Sequence, residues 1–181
     1  MTVIISRTSA KRLFRKYDVS QKEVAECTDL LNREMQKIVM QICLGAYTSA
    51  VNEGRTTVMQ KDLKISLCKC NMQGYVECVL MSDWRQMRKV IPYYLTASIV
   101  KSIISQCDVN PLLGGTSGNK RKVSAKCVQG IYIIIATKLN AIMNRVRRLT
   151  SMITDFGKLP LDVVKMAICE ELKSDHWVRR F

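Results

Sequence analysis

Residues 21–52 read QKEVAECTDLLNREMQKIVMQICLGAYTSAVN, with no proline and with Gly45 as the single glycine. Apolar residues fall at Val24, Cys27, Leu31, Met35, Ile38 and Ile42. That 3-4-4-3-4 spacing is one face of a single long helix. Ser20 is the expected N-cap, with Glu23 three residues on as its capping-box partner, and Gly54 the expected stop. At 1.5 Å per residue the helix would be roughly 45 Å long, far beyond the average globular helix. In front lies a short basic amphipathic stretch, Thr8 to Tyr17. It has Leu13, Phe14 and Tyr17 on one side and Lys11, Arg12, Arg15 and Lys16 on the rest. Behind come the loop Glu53 to Val58 and a second short helix from about Gln60 to Cys68.

The same short-long-short order recurs. Thr96 to Cys107 is a short apolar helix, and a Gly/Ser/Asn-rich loop from Asn110 to Asn119 leads into Lys120-Arg121-Lys122. Ser124 to Met152 then reads as another long helix, with Val128, Ile131, Ile135, Leu139, Ile142, Val146, Leu149 and Ile153 at helical spacing. Asp155 to Lys158 is a loop, and Leu161 to Leu172 a short helix entered through Pro160. Between the copies, Tyr75 to Val90 is expected to be one further helix. Neither copy alone could bury both sides of its long helix. The economical solution is an all-α protein in which the two long helices cross and each half completes the other's core.

With 181 residues the chain makes one ordinary domain or two small ones. Its three prolines, eight glycines and 6 % aromatic content exclude a sandwich or a barrel and fit a helical protein. No apolar run reaches about 18 residues, and Met1 to Lys11 lacks a signal peptide's apolar core, so a soluble, non-secreted protein is expected. The formal net charge is +14, with 15 basic and 9 acidic residues up to Val90 and 14 and 6 beyond it. Such an excess, spread over the whole chain, calls for a polyanion, and nucleic acid is the usual one. Of the eight cysteines, Cys27, Cys43 and Cys127 lie in helical stretches as small buried hydrophobes. Cys68, Cys70 and Cys78 could in principle bind zinc, but His176 is the lone histidine and no C-x-x-C pair exists, so no metal is expected. No nucleophile motif, Walker loop or H-E-x-x-H is present; Gly114 to Lys120 is a flexible loop. A non-enzyme without cofactors is the expectation.

The loop Gly54-Arg55-Thr56-Thr57-Val58 followed by Lys61-Asp62-Leu63 resembles the second loop of a histone fold, and Arg55 and Asp62 have the seven-residue spacing of that family's Arg–Asp clamp. Ile5 to Arg12 is similar to the segment leading into a histone first helix. Lys120 to Ser124 is similar to the basic first loop, and Leu159 to Val164 to the start of the third helix. Two histone folds in one chain resemble the histone doublets of giant DNA viruses of the Marseillevirus type; a fused archaeal histone is the second choice. The resemblance implies a first histone fold over 1–70, a connecting helix or linker over 71–93 and a second fold over 94–181, pairing within the chain as a pseudo-heterodimer. The helix from Tyr75 to Val90 and the acidic Glu170-Glu171 end are similar to features of the outer nucleosomal pair, so a tail-less variant of that pair is implied. The second copy departs from the pattern, with Asp155 where the first has Arg55.

The resemblance also implies how DNA would be held. The first loop of one half lies beside the second loop of the other, and basic side chains and helix N-termini meet phosphates without reading bases. One outer site would use Arg55, Thr56 and Thr57 with Lys120, Arg121 and Lys122, and the other Lys16 and Lys22 with Lys158. The central surface would use Arg7, Lys11, Arg12 and Arg15 with Lys101. Arg55 and Arg121 are the candidates for insertion into the groove. Arg145 and Arg148 are expected to point outward near the second copy's second loop, either onto DNA or into solvent. The implied partners are double-stranded DNA and other histones or a central-pair doublet. The implied setting is a virion, a viral replication site or the host nucleus, and otherwise chromatin or a nucleoid. From a different class, a histone-fold module that holds other proteins in a transcription or chromatin complex is the alternative.

Overall fold

A computed structural model of the chain describes residues 20–70, 72–81, 122–152 and 161–174, together with Ile5, Thr8, Lys11 and Phe14. These residues are mostly helical. The elements are α1 (Gln21–Asn52), β1 (Thr57–Val58), α2 (Gln60–Lys69), α3 (Gly74–Met81), β2 (Lys122–Val123), α4 (Ala125–Met152) and α5 (Leu161–Ser174). The expected helix Thr96 to Cys107, the loop Asn110 to Asn119, the loop Asp155 to Lys158 and the part of the Tyr75–Val90 helix after Met81 lie outside the described residues.

Both long helices begin as their local sequences dictate, and the first also ends so. At the start of α1 the Ser20 amide donates to Glu23 Oε2 at 2.9 Å and the Glu23 amide to Ser20 Oγ at 3.2 Å, a reciprocal capping box. At its end Gly54 takes φ +65°, a left-handed conformation cheap only for glycine. The Gly54 amide then reaches Val51 O and the Arg55 amide Ala50 O, both at 2.9 Å. This Schellman turn satisfies the last carbonyls and delivers Arg55 directly into the loop. At the start of α4 Ser124 is the cap, its Oγ accepting from the Cys127 amide at 3.2 Å.

The chain forms two compact units, and they do not follow the sequence repeat. One contains residues 3–35 and 137–181, the other 36–136. Each unit therefore holds one end of α1 and one end of α4. In the first, Ile5, Phe14, Val24, Cys27, Leu31 and Met35 are buried, as are Leu139, Ile142, Val146, Val163, Val164, Ala167 and Ile168. Ile5 is held by a buried Asn32, which accepts from the Ile5 amide at 2.8 Å and donates to its carbonyl at 2.9 Å.

In the second unit Ile38, Ile42, Val58, Leu63, Leu67, Val128, Ile131 and Ile135 are buried. Here α4 departs from a simple stripe, since every residue from Gly130 to Ala136 is buried. Of the most apolar window of α4, 72 % is buried inside the protein, which accounts for an apolarity sufficient by length and composition to cross a bilayer. Glycine permits the close approach of neighbouring elements. A methyl group on Gly130 would lie 2.5 Å from Leu63 Cδ2 and 2.9 Å from Val79 Cγ1, and one on Gly45 would overlap Ser66 Oγ. Gly130→Ala is therefore expected to destabilise by about 1–2 kcal/mol in urea unfolding. Overpacking costs about 1–3 kcal/mol, and alanine's better helix propensity returns up to about 1. A neutral or stabilising result would place the α2 and α3 side chains elsewhere.

Candidate nucleic-acid interface

The loop after α1 is fixed by one buried carboxylate. Asp62 accepts from Arg55 Nη1 at 2.7 Å and also from Arg55 Nη2, from Ser49 Oγ at 2.9 Å and from the Met59 amide at 2.8 Å. Arg55 Nη1 additionally donates to the Thr57 carbonyl at 3.2 Å, so the guanidinium ties the loop to the first turn of α2. Burial by itself would raise the Asp62 carboxyl. The hydrogen bonds from Arg55, Met59 and Ser49 outweigh it and hold the group below the usual carboxylate range. On the outer side Glu53 Oε2 accepts from Arg55 Nε at 3.0 Å and from Lys61 Nζ at 2.6 Å.

This loop pairs with the segment before α4. Thr57 and Val58 form a two-residue parallel ladder with Lys122 and Val123. The Lys122 amide donates to Thr56 O at 3.1 Å and the Ser124 amide to Val58 O at 2.9 Å. Ser124 thus joins the loops through its backbone and caps α4 with its side chain. Thr56, Lys122 and Lys126 are exposed and Thr57 is half-buried. The other four described helices carry an acidic residue in the first turn (Glu23, Asp62, Glu77 and Asp162), whereas α4 carries none. Its positive end is therefore uncompensated from within.

Of the expected DNA contacts, the structure brings together Arg55, Thr56, Thr57 and Lys122. Arg55, however, has its guanidinium committed to Asp62 and Glu53, with 21 % of the side chain exposed. Its geometry is that of a loop clamp, not of a side chain held out for a groove. Lys11, Lys22 and Arg148 are exposed. Arg7, Arg12, Arg15, Lys16, Lys101, Lys120, Arg121 and Lys158 lie outside the described residues.

Arg145 corrects the outward reading. It is turned onto α5, with Nε 2.8 Å from Glu171 Oε2 and Nη1 3.2 Å from Glu170 Oε2. Glu171 is itself buried, taking Lys138 Nζ at 3.1 Å, and the Lys138 side chain has no exposed surface. The Glu170-Glu171 pair is thus engaged by basic side chains of the same chain and is no free acidic patch. Burial raises the Glu171 carboxyl, but Arg145 and Lys138 pull it below its usual range; burial also lowers the Lys138 ammonium, which Glu171 opposes only in part. Periodicity sets one charge of each sign beside the apolar rows Ile135-Leu139-Ile142 and Val164-Ala167-Ile168, but it does not say that the two charges meet. Lys126, Glu53 and Lys61 were also absent from the expected set. Glu53 and Lys61 are eight residues apart and meet only because the loop turns back.

The cysteines Cys27, Cys43, Cys68, Cys70, Cys127 and Cys169 are free thiols, with Cys27 pushed up to about 11 and Cys127 to about 12 by burial. Among the described residues no group of three His, Cys, Asp or Glu side chains is placed to hold a metal. No known family model matches the chain, and no curated protein matches its sequence.

Proposed function

We propose that the chain is a histone doublet, two histone folds pairing within one polypeptide, that packages duplex DNA without sequence specificity in nucleosome-like particles. The observation that carries this reading is the parallel pairing of Thr57–Val58 with Lys122–Val123. It sets a clamped loop of the first half against the basic entry to the long helix of the second. Exposed Thr56, Lys122 and Lys126 and the uncompensated charge of the α4 N-terminus then offer hydroxyl, ammonium and amide donors to successive phosphates. Nothing in that set reads a base edge, so affinity comes from charge and from DNA bending. No catalytic step, metal or cofactor belongs to the reading. Its partners are duplex DNA and other histones, a central-pair doublet foremost. Its setting is a virion, a viral replication site or host nucleus, and otherwise chromatin or a nucleoid.

A protein-holding module is the second reading, and one observation favours it. Arg55 and Lys61 are neutralised by Asp62 and Glu53, which leaves the first half's loop without net charge. Salt titration of duplex binding separates the two. The packaging reading expects log affinity to fall steeply with log salt, equally for unrelated duplex sequences. Exchanging Lys122 and Lys126 for glutamine is expected to flatten the slope by about 0.9 for each phosphate that the variant no longer neutralises. A folded protein that ignores duplex DNA at low salt would leave the module reading.

A further inference from the structure

Glu53 stands at a place where neither the helix nor a phosphate would favour it. It follows the last residue of α1, at the negative end of that helix, and lies three residues from Thr56. The loop does not depend on it for anchorage, because Arg55 is already held by two bonds to buried Asp62. What Glu53 does hold is Lys61, an otherwise exposed lysine in the first turn of α2, 2.6 Å from its Oε2. The same oxygen takes Arg55 Nε at 3.0 Å.

We propose that Glu53 is a built-in competitor for DNA at the paired loops: it occupies the Lys61 ammonium that a backbone phosphate would otherwise take, and so limits the affinity of this site. The proposal rests on the DNA-binding reading above. With Glu53 in place, a phosphate reaching Lys61 must displace a carboxylate that then remains nearby as a like charge. With a neutral side chain there, Lys61 is released and one more phosphate can be neutralised.

The test is salt-dependent binding of one fluorescent duplex to the full chain, to Glu53→Gln and to Glu53→Gln/Lys61→Gln, with helicity and melting checked for each. Glu53→Gln is expected to bind more tightly at low salt and to steepen the log–log slope by about 0.9; the advantage shrinks roughly threefold between 50 and 200 mM salt. The second substitution is expected to remove that gain. Glu53→Ala serves as a further variant should the glutamine protein fold poorly. Equal affinity and slope in the native and Glu53-substituted proteins would overturn the proposal and leave the packaging reading standing. A native protein without salt-dependent duplex binding would overturn both.

Discussion

Glu171→Ala is expected to be among the most damaging single substitutions in the protein, costing about 3–5 kcal/mol. Removing this carboxylate takes the opposite charge away from the Lys138 ammonium, which has no exposed surface. Arg145 would lose its 2.8 Å partner as well and keep Glu170. For a chain of this size the loss corresponds to a melting-temperature drop of about 6–20 °C. The double variant Lys138→Met/Glu171→Leu is expected to recover most of that stability, because an apolar pair of similar volume removes both desolvation costs. Urea unfolding of the three proteins checks both expectations. A loss under about 1 kcal/mol in Glu171→Ala would mean that water or another group of the protein takes over the Lys138 ammonium.

Asp62→Ala is expected to cost about 3 kcal/mol. It leaves the Ser49 hydroxyl and the Met59 amide without their acceptor and frees a half-buried guanidinium. The effect is below that of Glu171→Ala because Arg55 retains some contact with water and with Glu53. Both carboxylates also set the acid limit. Each is held below its unfolded value near 4, so its contribution is present above about pH 4 and is lost as pH falls through the folded value. Lys138 has the opposite charge but the same sense. Its folded value lies below the ordinary lysine range, so stability rises with pH between the folded and unfolded values. Melting curves from pH 2 to 6 should therefore fall steeply below about pH 4 in the native protein. They should be flatter in Asp62→Asn and in the Lys138/Glu171 double variant.

The elements with strong local signals were legible in the sequence. The 3-4 spacing from Val24 to Ile42 and from Val128 to Val146 marks residues that are all buried. Ser20 with Glu23, and Gly54, mark ends that the backbone honours. These features depend on neighbours within a turn or two, and periodicity reports them directly. The seven-residue spacing of Arg55 and Asp62 was also readable, but only through resemblance. Spacing alone does not say that a carboxylate will be buried beneath a loop.

What could not be read depends on partners far along the chain. Asn32 meets Ile5 across 27 residues and Lys138 meets Glu171 across 33. Periodicity places Arg145 beside an inward Val146 and cannot tell that α5 brings Glu171 to cover it. The ladder between Thr57 and Lys122 is too short to leave any alternation of its own, and only the resemblance, which sets Arg55, Thr56 and Thr57 beside Lys120, Arg121 and Lys122, pointed to it. Glycine at 130 has meaning only once Leu63 and Val79 are known to press on it.

The most direct test of the proposed packaging role is micrococcal-nuclease digestion of duplex DNA reconstituted with the protein, alone and with candidate histone partners. A histone doublet is expected to leave a discrete protected fragment, unchanged between unrelated DNA sequences, whose length counts the histone pairs engaged. A continuous smear under every condition, with the protein folded, would contradict the packaging role.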